Sequence, residues 1–119
     1  YYLGKYDLGI KYYDKVMQLN PAKISAYLAK GYCLYCIGKY EDANKNFDKA
    51  LVIDPSNADA YYNKSKALAK LNENDKALEC LKKSIELDVK YLADAKNDED
   101  FSVIKDSIEF KDLINKYEV

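Results

Sequence analysis

The sequence predicts an all-α fold, an α-solenoid of antiparallel helix pairs with about two and a half repeats and C-terminal capping helices. The first observation is an internal repeat. Shifting the chain by 34 residues aligns residues 58–91 with residues 24–57, and residues 1–23 with the second half of that unit. The second observation is that apolar side chains recur at helical spacing in each unit, and the third is that Gly, Pro or Asn separates the apolar segments. A 34-residue period with these residue types is typical of a helix–turn–helix repeat.

The repeat array, residues 1–90, is expected to supply one helix from a truncated half repeat and two from each full repeat. In chain order these helices span Tyr6–Leu19, Ile24–Ile37, Glu41–Ile53, Ala58–Leu71 and Asp75–Leu87. Asn20-Pro21 ends the first helix, because the residue before a proline is pushed out of the helical region. Gly38 and Asn72 separate the helices of the two full repeats. Both residue types tolerate the left-handed backbone that such a turn requires.

The repeat pattern is lost in residues 92–119, which are expected to form a C-terminal cap. Two Phe-x-x-aliphatic pairs begin at Phe101 and Phe110, and the helix-capping residue types Asp98 and Ser107 lie three residues before them. A divergent terminal unit keeps the last repeat of a solenoid covered and soluble. The expected helices are short ones near Leu92–Lys96 and Glu99–Lys105, and a longer one near Ile108–Tyr117.

The charges nearly cancel, with 19 basic residues, all of them Lys, against 20 acidic residues. Residues 1–90 carry 15 Lys and 12 acids, a net charge of +3, whereas residues 91–119 carry 4 Lys and 8 acids, a net charge of −4. This balance does not indicate binding to nucleic acid or to an anionic membrane. The absence of Arg also disfavours planar, bidentate recognition of phosphate.

The three cysteines, with no signal peptide and no apolar run long enough to cross a membrane, favour a reducing, cytoplasmic location. The chain starts at Tyr1 and not at a methionine, and the first repeat is represented by its second helix alone. It is therefore expected to be a fragment of a larger protein.

The pair Cys33 and Cys36 forms a CxxC motif, but a metal site is not expected. Zinc sites need four ligands, and the chain has no His and only Cys80 as a further thiol. A free cysteine on a helix is commonly a small buried apolar residue. Without a histidine or a Gly-rich phosphate loop, the sequence predicts no enzyme activity and no cofactor.

The repeat unit resembles the tetratricopeptide repeat (TPR) family over residues 1–90. The family pattern is matched in the first full repeat by Tyr27, Gly31, Leu34, Ala43, Phe47 and Pro55, and in the second by Tyr61, Ser65, Leu68, Ala77 and Leu81. Lys30 and Lys64 depart from it, because the family usually has Leu there. Their stems are expected to pack while their ammonium groups reach water. The C-terminal region is similar, more loosely, to acidic segments that close prokaryotic TPR arrays.

The resemblance implies a right-handed superhelix whose concave groove, lined by the first helix of each repeat, binds a peptide or helix of a partner protein. By position, it assigns to this groove Leu28, Ala29, Tyr32, Tyr35 and Cys36 from one repeat, and Tyr62, Asn63, Lys66 and Lys70 from the next. Tyrosine suits such a site because its ring is rigid and apolar while its hydroxyl is polar. The lysines favour a partner with acidic residues. Alternatively, the tyrosines pack against neighbouring helices.

Other functions stay open from the sequence. The array could be structural and self-associate through the exposed face of the half repeat or by exchange of its C-terminal helices, giving a homo-oligomer. The acidic C-terminal region could instead fold back into the Lys-containing groove as an autoinhibitor. RNA binding through lysines and tyrosines is less favoured, because the positive excess is small. Of the Lys and Asn clamp by which some TPR proteins hold a C-terminal carboxylate, only Asn63 is matched, so that clamp is not predicted.

Overall fold

The computed structural model describes residues 2–117, with side chains from Gly4 onward. Tyr1, Glu118 and Val119, which the sequence assigns to the half repeat and to the cap, lie outside this range. The helices are α1 (Tyr2–Leu19), α2 (Ile24–Cys36), α3 (Tyr40–Ile53), α4 (Ala58–Lys70), α5 (Asn74–Leu87), α6 (Lys90–Asn97) and α7 (Ile108–Tyr117). Two 3₁₀ turns, Glu99–Phe101 and Ile104–Asp106, join α6 to α7. Over the described residues there is no strand, so the all-α prediction is confirmed.

Helices α1 to α5 pack against one another in chain order and form a solenoid that measures 45 × 30 × 20 Å with the C-terminal elements. Close approach of the paired helices α2 and α3 depends on a small residue. A Cβ atom on Gly31 would lie 2.4 Å from the Phe47 ring, whose side chain is fully buried. The aromatic ring of α3 therefore fills the space that a side chain at Gly31 would need.

Both predicted interhelical turns are confirmed. Gly38 and Asn72 have φ angles of +85° and 61°, in the left-handed region that favours glycine and tolerates asparagine. The start of α1 was predicted wrongly, because the helix begins at Tyr2 and continues through Gly4. A Cβ atom at Gly4 would meet no atom within 4 Å apart from its chain neighbours and the backbone of its own helix.

Two ion pairs recur at the same place in successive repeats. Nζ of Lys30 lies 2.7 Å from Asp14, and Nζ of Lys64 lies 2.6 Å from Asp48. The lysines are one 34-residue period apart, and so are the aspartates. Their stems are largely covered, as expected, and their ammonium groups end in partly exposed ion pairs with the preceding helix.

The C-terminal segment, Lys90–Tyr117, packs on α4 and α5 and shares an apolar core with them. Its buried apolar residues include Tyr91, Leu92, Ala95, Phe101, Ile104, Phe110 and Leu113. The capping predictions are confirmed. Asp98 Oδ1 accepts a bond of 3.0 Å from the Asp100 N–H, and Ser107 Oγ accepts one of 3.1 Å from the Phe110 N–H. The single helix predicted over 99–105 is wrong, because two 3₁₀ turns replace it. Each turn supplies one buried apolar side chain, Phe101 from the first and Ile104 from the second.

Candidate functional site

The first helix of the first full repeat carries five predicted groove residues, which we call the α2 face: Leu28, Ala29, Tyr32, Tyr35 and Cys36. Tyr32 is 48% exposed, whereas the other four are partly buried. The rings of Tyr32 and Tyr35 are stacked, with centroids 6.4 Å apart and planes inclined by 22°. Hydrogen bonding with the Cys36 side chain raises the pKa of Tyr32. The α2 face therefore presents one accessible aromatic ring on a packed aromatic support.

The equivalent helix of the next repeat carries the other four predicted residues, which we call the α4 face: Tyr62, Asn63, Lys66 and Lys70. Tyr62 is only 7% exposed. Nδ2 of Asn63 donates to Asp59 Oδ1 at 3.3 Å. The side chains of Lys66 and Lys70 are 18% and 41% exposed, so Lys70 is the more accessible cation.

Lys66 joins the two faces. Its ammonium nitrogen lies 5.1 Å from the ring centroid of Tyr35 on α2 and 5.8 Å from that of Tyr62 on α4. Both distances are within the range of a cation–π interaction. The structure thus brings Tyr35, Tyr62 and Lys66 together, although Tyr62 is buried and not an exposed member of the predicted groove.

The C-terminal segment covers part of the α4 face through two carboxylates. The Tyr62 hydroxyl donates to Asp98 Oδ2 at 3.1 Å, and the Lys66 ammonium lies 3.5 Å from the same oxygen. The Lys70 ammonium lies 3.2 Å from Asp100 Oδ1. The α4 face is therefore already engaged with acidic groups of its own chain.

Aromatic packing holds this contact in place. The Tyr62 ring stacks on Tyr91 with centroids 4.8 Å apart, and it meets Phe101 edge-on at 5.7 Å. The Tyr91 hydroxyl donates to Asp59 Oδ1 at 3.3 Å. Burial, followed by the nearby carboxylate of Asp59, raises the pKa of Tyr91 to about 12. Burial likewise raises the pKa values of Tyr62 and of Asp100.

The sequence predicted the charge on the C-terminal segment but did not name the residues that meet the α4 face: Tyr91, Asp98, Asp100 and Phe101. The available signal was the opposite net charge of residues 1–90 and 91–119, which suggested that the acidic region could fold back on the lysines. Charge sums cannot select which carboxylate meets which ammonium group.

The three cysteines are free thiols. Cys33 is buried, while Cys36 and Cys80 are partly buried. Burial raises the pKa values of Cys33 and Cys80, which disfavours the reactive thiolate. Among the described residues, no group of His, Cys, Asp and Glu side chains could hold a metal ion.

Two repeat-family models match the sequence. One, described as a TPR repeat, matches residues 31–72, and the other, a tetratricopeptide repeat, matches residues 1–23 and 58–91. Together they cover most of the chain, and the second model has the repeat boundaries that the sequence predicts. The chain belongs to the tetratricopeptide repeat family. Among curated proteins, none is similar enough in sequence to be matched.

Solved TPR structures share this fold. MamA from Desulfovibrio magneticus RS-1 is 26% identical with a TM-score of 0.76, and the match covers 98% of this chain and 64% of that one. YrrB, described as a TPR protein with an unusual peptide-binding site, is 31% identical with a TM-score of 0.67, over 72% of this chain and 44% of that one. The first TPR of Spaghetti (RPAP3), bound to an HSP90 peptide, is 19% identical with a TM-score of 0.71, over 98% and 82%. At 19% identity, the similarity to the Spaghetti structure concerns the fold alone.

The chain spans between 44% and 66% of the length of the MamA and YrrB chains that it matches. None of the helices in residues 2–117 combines the length and the apolar character that crossing a membrane would require. The confirmed description is thus a TPR solenoid, a class of fold used for protein interaction.

Proposed function

We propose that this TPR solenoid is an adaptor or scaffold module that binds a peptide or helix of a partner protein across the α2 and α4 faces. The observation that carries this proposal is the exposed Tyr32 ring, stacked on Tyr35 and continued by Lys66 towards α4. An exposed aromatic ring on a rigid support offers apolar contact area at low entropic cost. The description of YrrB, a relative that is 31% identical, as a peptide-binding TPR protein supports the same type of ligand.

The chemistry of the two faces favours a partner with both apolar and acidic side chains. Tyr32 supplies the apolar contact, while Lys66 and Lys70 supply positive charge. No cofactor is required for such a binding role, and we do not propose an enzyme. The partly buried or buried thiols suit a reducing compartment, and we propose the cytoplasm.

Capture of partners by the tagged protein, quantified by mass spectrometry, tests this proposal. Tyr32→Ala should reduce capture of the specific partner by at least about tenfold, because exposed aromatic anchors commonly dominate such interfaces. Val52→Ala is the control, since Val52 is an exposed apolar residue of α3 that lies outside both faces. Equal capture by the wild type and Tyr32→Ala would remove the α2 face from the proposed function.

Self-association through α1 is a second candidate, favoured by the exposed apolar side chains of that helix. Leu8, Tyr12 and Leu19 are 69%, 62% and 89% exposed. Several exposed apolar groups on one helix are typical of an interaction surface. Light scattering over a concentration series distinguishes this candidate: a mass that rises with concentration in the wild type but not in Leu8→Lys supports it, and a constant monomer mass excludes it.

A further inference from the structure

Three consecutive residues of the C-terminal segment, Asp98, Glu99 and Asp100, form what we call the acidic turn. Its two outer carboxylates meet the α4 face. Asp98 contacts both Tyr62 and Lys66, and Asp100 contacts Lys70. Glu99, between them, is exposed. The two carboxylates that contact the α4 face are therefore separated by one exposed acidic residue, at the start of the first 3₁₀ turn.

The acidic turn contacts the α4 face through charged groups, whereas the residue that follows it packs in the apolar core. Its ion pairs are mostly covered, with side chains 18% and 21% exposed in the Lys66–Asp98 pair and 41% and 13% exposed in the Lys70–Asp100 pair. Breaking them is costly unless other carboxylates take their place on the lysines. Phe101, the next residue, is fully buried in the core, and the loss of a buried phenyl group is also costly. When other carboxylates replace them, those of the acidic turn can thus leave the α4 face while Phe101 holds the segment to the protein.

We propose that the acidic turn is an internal occupant of the α4 face, and that a partner peptide with an acidic-x-acidic pattern binds Tyr62, Lys66 and Lys70 by displacing it. This inference rests on the proposed function and adds to it the chemistry of the partner and a means of regulation. Because the turn is tethered, its effective concentration at the α4 face is high, so the free chain binds such a peptide weakly. Loss of the turn's negative charge strengthens binding.

The variant Asp98→Asn/Asp100→Asn removes the two negative charges without removing the cap. Asp98 Oδ1 accepts the backbone N–H of Asp100, and an asparagine side chain offers an equivalent oxygen. The matched control is Asp106→Asn/Asp112→Asn, which makes the same change in net charge at exposed carboxylates of the second 3₁₀ turn and of α7. Circular dichroism and urea unfolding of each full chain establish that the variants are folded.

The probe is a fluorescein-labelled peptide with the sequence of residues 96–105, KNDEDFSVIK, titrated in fluorescence anisotropy. We expect the Asp98→Asn/Asp100→Asn chain to bind it at least about tenfold more tightly than the wild type or the control chain does. Adding Lys66→Gln/Lys70→Gln to that variant should abolish the binding. A peptide with Asn in place of both aspartates should not bind any of the chains.

Equal affinity of the wild type and Asp98→Asn/Asp100→Asn for the peptide, or no binding by either, would overturn the inference. Binding that survives Lys66→Gln/Lys70→Gln, or tighter binding of a uridine oligonucleotide than of the peptide, would also overturn it. None of these results contradicts the proposed function as long as Tyr32 is still needed for partner capture. Loss of the Tyr32 dependence, with the peptide results as expected, would instead contradict the proposed function alone.

Discussion

The hydroxyl of Tyr62 donates a hydrogen bond of 3.1 Å to Asp98, 36 residues further along the chain. This contact links a residue that the repeat pattern assigns to the binding groove with the segment that follows the repeats. Tyr62 is also buried against Tyr91 and Phe101. The same side chain therefore stabilises the end of the solenoid and shapes the α4 face.

Tyr62→Phe removes this hydrogen bond and keeps the ring in place. We expect the free energy of unfolding to fall by about 1.5 kcal/mol, because hydrogen bonds to charged groups contribute more than neutral ones. Urea unfolding measures the change. Tyr27→Phe is the control, since the Tyr27 hydroxyl makes an exposed bond of 3.0 Å to the Pro21 carbonyl. Equal losses in the two variants would show that the hydrogen bond to Asp98 contributes no more to the free energy of unfolding than an exposed hydrogen bond does.

Gly31→Ala tests the close packing of α2 on α3. The added methyl group would lie 2.4 Å from the buried Phe47 ring, so we expect a loss of about 1–3 kcal/mol in the free energy of unfolding. Gly4→Ala, in α1, has open space around it and should stabilise the protein by up to about 1 kcal/mol through helix propensity. If Gly31→Ala is as stable as the wild type, the two helices are not in the close contact described.

The recurring Lys–Asp pairs allow a direct measurement of what one of them contributes. A double-mutant cycle with Lys64→Met and Asp48→Asn should give a coupling free energy of about 0.5–1 kcal/mol, since the pair is partly exposed. Raising the salt concentration should reduce that coupling. A coupling near zero in low salt would mean that the 2.6 Å contact adds nothing to stability.

Much of the fold could be predicted from the sequence because the same pattern of apolar and turn residues occurs in each repeat. The 34-residue period identified the paired helices, and the residue types at Gly38 and Asn72 identified the turns. The contact between Tyr62 and Asp98 could not be predicted in the same way. It lies where the period has ended, and its partners are far apart in the chain, so no spacing rule relates them. The 3₁₀ turns were missed because apolar spacing of three residues fits both helix types.

The buried tyrosines predict a loss of stability in alkali. Burial raises the pKa of Tyr62, and it raises that of Tyr91 to about 12. An unfolded tyrosine ionises near about pH 10. Above that pH the unfolded state releases protons that the folded state retains, so the free energy of unfolding falls as pH rises. Urea unfolding at about pH 9 to 11.5 measures this slope. Tyr62→Phe/Tyr91→Phe should show a shallower slope, and an unchanged slope would mean that other groups cause it.

Binding at the α2 face is tested most directly by site-specific photo-crosslinking. A benzoylphenylalanine residue replaces Tyr32 in one chain and Val52, an 82% exposed residue of α3, in another. We predict that illumination links the Tyr32 chain to a distinct partner protein, that the Val52 chain does not form this product, and that excess unlabelled wild-type chain suppresses it. Equal crosslinking from both positions, or none from Tyr32, would contradict the assignment of the groove as the binding site.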